Sequence, residues 1–341
     1  MAPISMATRL TILFLCILSC GENAIAQQKD DALSAPRSLI RQQKNAEAIA
    51  QLQALALQQP ELKGLQHELG VAYYHQGEYL EAAKYLEDAW KENPEDRDAV
   101  QLLGLSYYST GRPAEAIPAL EKVRSWHANA NIDAIYILGL CYIMAKRYPQ
   151  ARQTFAQLYG VSAESAAAHL LLGRMSLRQG FDPIAESEIA TALTISPQLP
   201  LAHLSLGEFY VYRGDYLKAV QEFKAELAIN PACAPALTQL GEVYWRLNRD
   251  DESQKVLRRS ISLDTTASEP YVIMGKILVR EGQSGLAEKN LLRAISLDAG
   301  SYTAHYFLGQ LYRAWGRAEA AEREMKTAAR IQQQTLGSRH N

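Results

Sequence analysis

A leucine-glycine pair returns along the chain at Leu69-Gly70, Leu103-Gly104, Leu138-Gly139, Leu172-Gly173, Leu206-Gly207, Leu240-Gly241 and Leu308-Gly309, with Met274-Gly275 in the same register. Successive glycines lie 34, 35, 34, 34, 34, 34 and 34 residues apart. A period of this length restricts the chain to an array of like supersecondary elements, each too small to bury its own apolar face. Eight copies fill the sequence, over 63–96, 97–131, 132–165, 166–199, 200–233, 234–267, 268–301 and 302–335.

The stretch "HLSLGEFYVYRGDYLKAVQEFKAELAINP", residues 203–231, shows what one copy encodes. His203, Leu206, Gly207 and Tyr210 fall on one stripe of a helix. Gly214 then offers a residue that takes the left-handed conformation without steric cost, which ends the helix. Ala219, Phe223 and Leu227 make a second stripe, closed by Asn230-Pro231, because proline cannot continue a helix. Each copy is therefore expected to be a helix-turn-helix hairpin. Small residues at repeat positions 8 and 20, here Gly207 and Ala219, let its two helices approach closely. A lone hairpin must order its backbone at about 1–2 kcal/mol per residue, so stacking on neighbours has to supply the missing burial.

These residues resemble the tetratricopeptide repeat, whose signature sets Leu-Gly three residues before a tyrosine, then a turn glycine, a second tyrosine, a small alanine, an aromatic and a closing proline. The copy from Lys63 carries Leu69-Gly70, Tyr73, Gly77, Tyr79, Ala82, Leu86, Ala89 and Pro94. The copy from Pro200 carries Leu206-Gly207, Tyr210, Gly214, Tyr216, Ala219, Phe223 and Pro231. Lys146 and Asn248 replace the turn glycine, Ser253 the small alanine, and Ala128, Thr265 and Ala299 the closing proline. The extra residue between Gly104 and Gly139 is expected to lengthen the loop near His127 to Asn131. The resemblance implies an all-α, right-handed superhelical solenoid of stacked hairpins. Residues 27–62 read as a degenerate N-terminal capping repeat, with one helix ending at Pro60 and a partner around Ala32 to Gln43 that carries Pro36. The last helix, polar on one side, covers the final seam, and 336–341 form a short tail.

Residues 1–26 differ in kind. Arg9 precedes an uncharged run from Leu10 to Leu18, followed by polar residues and Ala24-Ile25-Ala26, the order of a secretory signal peptide. The mature chain is expected to begin at Gln27 and to lie in the periplasm. A second reading makes Ile17-Leu18-Ser19-Cys20 a lipoprotein signal, with Cys20 as a membrane anchor. Only Cys141 and Cys233 remain beyond that segment, nearly three repeats apart, so both are expected to be unpaired, buried thiols. With 35 Lys and Arg against 37 Asp and Glu, the net charge of −2 gives no basic field for nucleic acid.

Catalysis needs polar groups that converge, and the sequence offers no such set. His169, His203 and His305 all occupy repeat position 4, a packing position, and His67 and His75 are too far apart for a zinc helix. No phosphate loop, nucleophile elbow, metal set or cofactor motif is present, so the chain is expected not to be an enzyme and to use no cofactor. The informative residues are those that packing leaves over, at positions 2, 5, 9, 12 and 13 of each first helix. In proteins this chain resembles, that stripe lines a concave face and binds extended peptides or partner helices. Here it holds Tyr74, Tyr108 and Tyr136 in the first three copies, then Arg174, Arg178, Tyr212, Trp245, Arg246, Lys276, Arg280 and Arg313. The first half is aromatic and nearly uncharged, the second rich in arginine, a residue that with tyrosine and tryptophan dominates binding hot spots. Neither the asparagine-bearing carboxylate clamp nor the asparagine ladder of some family members is present. The sequence thus predicts a protein-binding scaffold of the bacterial envelope that anchors a partner segment on the tyrosines and draws its acidic groups to the basic residues. A carbohydrate- or small-ligand-binding accessory subunit of an envelope enzyme or polysaccharide export complex is the alternative.

Overall fold

The computed structural model describes residues 32–126, 132–180 and 182–337. The expected signal peptide with Cys20, the expected start at Gln27 and the expected loop at His127 to Asn131 lie outside the described residues. Everything described is helix or turn, with eighteen helices and no strand among the described residues. In pairs they are α1 (Ser34–Arg41) and α2 (Asn45–Gln58), α3 (Leu65–Gln76) and α4 (Tyr79–Glu92), α5 (Arg97–Ser109) and α6 (Pro113–Trp126), and α7 (Ile132–Met144) and α8 (Tyr148–Leu158). These belong to an N-terminal unit, Met1–Ala163. A C-terminal unit, Glu164–Asn341, holds α9 (Ala166–Arg178), α10 (Asp182–Ile195), α11 (Ala202–Tyr212), α12 (Tyr216–Ile229), α13 (Ala234–Arg246), α14 (Asp250–Leu263), α15 (Glu269–Arg280), α16 (Ser284–Leu297), α17 (Tyr302–Ala314) and α18 (Ala318–Gly337).

Each hairpin closes where a glycine of the first helix meets a large side chain of the second. Phe223 of α12 packs directly over Gly207 of α11, and Leu86, Leu120, Phe155, Ile189, Leu257, Leu291 and Met325 do the same over their own glycines. Only a residue without a side chain lets two helix backbones come this near. Gly214 takes φ +76° in the turn between them. Lys146 and Asn248, which stand in for that glycine, adopt the same left-handed backbone at φ 58° and 57°. The turn geometry is thus kept at these two positions against an L-residue's preference.

Side chains seal the helix ends. Asp96 and Ser165 accept hydrogen bonds from the backbone N–H of Ala99 (3.0 Å) and Ala168 (3.2 Å) at the starts of α5 and α9. Fully buried Glu226 reaches back from α12 to accept from the N–H groups of Leu201 (2.9 Å) and Leu204 (3.3 Å), where α11 begins with orphan donors. Pro36 sits within the first turn of α1, where a proline is tolerated because its missing N–H has no helical acceptor. At the far end α18 runs to Gly337, so the expected tail begins inside a helix.

Within each unit successive first helices touch one another: α1, α3, α5 and α7 in the N-terminal unit, α9 through α17 in the C-terminal one. Among the described residues no such series links successive second helices, which meet instead the first helices on either side. In each unit the first helices therefore line up side by side, and the stripe they turn away from their own partner helices is called its inner face. Cys141 and Cys233 are both unpaired and buried. No helix among the described residues is long and apolar enough to cross a membrane.

Candidate interaction surface

In the N-terminal unit the inner face is built from α3, α5 and α7. Positions 5, 9, 12 and 13 of these helices carry no lysine, arginine or carboxylate, and Asp98 and Asp133 stand only at their first turns. Tyr74, Tyr108 and Tyr136 are half-buried there. Burial raises the phenol of Tyr74 and, with the nearby Cys141 and Tyr136 adding, that of Tyr108. Tyr74 meets Tyr79 edge-on at 5.4 Å between ring centres, and Tyr136 meets Phe155 at 5.9 Å. His67 holds Asp96 through Nδ1 at 2.7 Å.

The C-terminal unit presents a different chemistry, because its charges are turned onto neighbouring helices. Nε of Arg246 donates to Glu242 (3.0 Å), and Nη1 of the same residue to the Tyr216 hydroxyl (3.3 Å). Lys276 crosses to Glu242 at 3.7 Å and lies 4.3 Å from the centre of the Trp245 ring. Arg280 binds Asp250, with Nε at 2.8 Å, and also donates to Asn248 (2.7 Å) and to the backbone carbonyl of Trp245 (3.3 Å). The sequence pattern offered Arg246, Lys276 and Arg280 to an acidic partner, but their nearest anions are Glu242 and Asp250 of the protein itself. Arg174 and Arg178 act on Glu208, whose carboxyl burial nonetheless pushes above its usual range. Glu269 is raised too, by burial and then by Glu242. Tyr212 is 67% exposed, and Arg178, Arg246, Arg280 and Arg313 are exposed as well.

The histidines at position 4 do more than fill space. His169, His203 and His305 each place Nδ1 against a glutamate 19 residues later on the partner helix, Glu188 (2.6 Å), Glu222 (2.7 Å) and Glu324 (2.6 Å). Sequence reasoning missed these glutamates, although the signal was present: across the eight copies, Glu occupies position 23 only where His occupies position 4. Among the described residues no group of histidine, cysteine and carboxylate side chains is arranged to hold a metal ion.

Hairpins each closed by a glycine contact and stacked one on the next, with an inner face left to large aromatic and charged side chains, define an α-helical repeat scaffold for protein interaction. A family model described as tetratricopeptide repeat matches residues 37–90, 138–200 and 274–334, and a second of the same description matches 234–266. A model described as anaphase-promoting complex, cyclosome, subunit 3 matches 75–158. The chain belongs to the tetratricopeptide repeat family. No curated protein matches the sequence. Among solved structures the chain is similar to the APC/C hetero-tetramer Cut9-Hcn1, at 16% identity over 82% of this chain and 55% of that one, with a TM-score of 0.45. It is also similar to two structures of MamA, at 21% and 20% identity over 48% and 52% of this chain and 96% of each of those, with TM-scores of 0.42 and 0.43.

Proposed function

We propose that the protein is a non-catalytic scaffold of the bacterial envelope that holds a segment of a partner protein against its inner face. The reading is supported above all by Tyr74 and Tyr108, large side chains on adjacent repeats that hairpin packing leaves half-buried on the same face. Aromatic residues of this kind bury much area at low entropic cost, which suits them to anchoring a partner. An interface of ordinary size, about 800 Å² on each side, needs only a few first helices. Export rests on residues 1–26: the basic residue, apolar run and small-residue site direct the chain to the periplasm, with a mature start at Gln27 or, alternatively, at a lipid-bearing Cys20.

Calorimetric titration of the purified protein with the protein and carbohydrate fractions of a bacterial envelope tests the binding mode. Saturable heat with the protein fraction, lost in a Tyr74→Ala/Tyr108→Ala variant, is expected. Heat with the carbohydrate fraction alone would instead favour a glycan-binding accessory subunit. Mass spectrometry of the mature N-terminus separates the two export routes, and a mature chain that still begins at Met1 would refute both.

A further inference from the structure

Each unit has an inner face of its own chemistry, and that of the N-terminal unit says what kind of segment it admits. Beyond Asp98 and Asp133 at the first turns, its floor offers no carboxylate, lysine or arginine: Val71, Leu105 and Leu140 occupy repeat position 9 on α3, α5 and α7, where the C-terminal unit has Arg174, Glu208, Glu242, Lys276 and Gln310. The imidazole of His67 on this floor is already engaged by Asp96. A charged side chain brought onto such a floor loses its hydration and finds nothing to replace it.

Two polar atoms on that face nevertheless lack partners. The hydroxyls of Tyr74 and Tyr108 form no hydrogen bond among the described residues, and burial is the first cause of the upward shift of each phenol. Other tyrosines use theirs: Tyr73 with Gln53 (2.8 Å), Tyr142 with Glu121, Tyr210 with Glu186 (3.1 Å). Half-buried phenols one repeat apart, set in an aliphatic floor, suit a ligand that pairs neutral polar groups with apolar surface.

We infer that the N-terminal unit selects an uncharged peptide segment, whose backbone amides meet the Tyr74 and Tyr108 hydroxyls while its apolar side chains cover Val71 and Leu105. This deepens the proposed function and rests on the inner face being the binding face. In the C-terminal unit Arg246 and Arg280 then serve Glu242 and Asp250, Arg174 and Arg178 face Glu208, and these four contribute little to partner choice.

The probe is a display library of random dodecapeptides, panned on the full-length protein. Enriched peptides are expected to lack Asp, Glu, Lys and Arg, and their affinity to change less than about twofold between low and high salt, since no ion pair is there to be screened. A Tyr74→Phe/Tyr108→Phe variant keeps both rings and removes only the hydroxyls. It should weaken binding about tenfold, the effect of two neutral hydrogen bonds, while its circular dichroism and urea midpoint stay near wild type. An Arg178→Gln/Arg280→Gln variant should bind the same peptides unchanged. Enrichment of acidic peptides that fail on the arginine variant would overturn the inference and leave the inner face as the binding face. Peptides indifferent to replacement of either tyrosines or arginines, or no enrichment at all, would overturn both.

Discussion

The backbone of Gly207 lies so close to Phe223 that a methyl group added at the glycine would come within 2.5 Å of the ring. The relation recurs at a spacing of 16 residues in every copy, from Gly70 with Leu86 to Gly309 with Met325. It explains why the glycine is the most regular feature of the sequence: each first helix rests on its partner at that point. Gly207→Ala should lower stability by about 1–3 kcal/mol through overpacking. Gly285 makes no such approach and lies in a helix, so Gly285→Ala should raise stability by about 0.5–1 kcal/mol. Urea midpoints of the two variants against wild type check both signs.

Lys146 holds a left-handed backbone at φ 58°, which costs an L-residue about 1–2 kcal/mol. Lys146→Gly should therefore be stabilising, by up to about 1 kcal/mol once glycine's greater unfolded-state freedom is subtracted. Thermal melts of the variant should show a higher midpoint.

Glu226 is fully buried and caps α11 through two backbone N–H groups. Glu226→Ala leaves both donors without an acceptor, and a loss of about 1–3 kcal/mol is expected. Hydrogen exchange should localise the loss, with faster exchange in α11 than in α17.

Glu208 has its carboxyl raised above 4.5 by burial, against the pull of Arg174 and Arg178. For a carboxyl raised in the folded state, the stabilising contribution is fully present below the unfolded value, near 4.5, and disappears as pH climbs through the folded one. Glu208→Gln should therefore be more stable than wild type at neutral pH, with the two converging near pH 4.5. Urea titrations across that range follow the difference, and a variant weaker than wild type at neutral pH would contradict it.

Burial pushes the thiol of Cys141 up to about 12, and that of Cys233 upward as well. Neither should react with a thiol-specific dye at mildly alkaline pH while the protein is folded, because the thiolate is the reactive form. Both should react in urea.

The hairpins and their turns were legible in the sequence because each rests on a local, repeated cause: a glycine under Phe223, a left-handed residue at Gly214, a proline after α12. Helical geometry offers the inner face only as a set of positions, and packing takes two of them back: Leu140 and Ile143 of α7 are buried. The electrostatics of that face were not legible. Whether Arg280 reaches a partner or Asp250 depends on two side chains 30 residues apart on adjacent hairpins, and no single copy contains both. The His169 and Glu188 pair could have been read, because His and Glu rise and fall together at fixed offsets within one hairpin, but only by comparing positions across copies.

A partner held as proposed lies on the inner face of the N-terminal unit. A photo-crosslinking residue placed at Tyr108, and in a separate variant at exposed Leu80 of α4, tests this in intact cells. Efficient crosslinking to one protein from position 108, competed by an uncharged peptide selected on the purified chain, with none from position 80, is the predicted result. Crosslinking from position 80 alone would place the partner on the second helices and contradict the account.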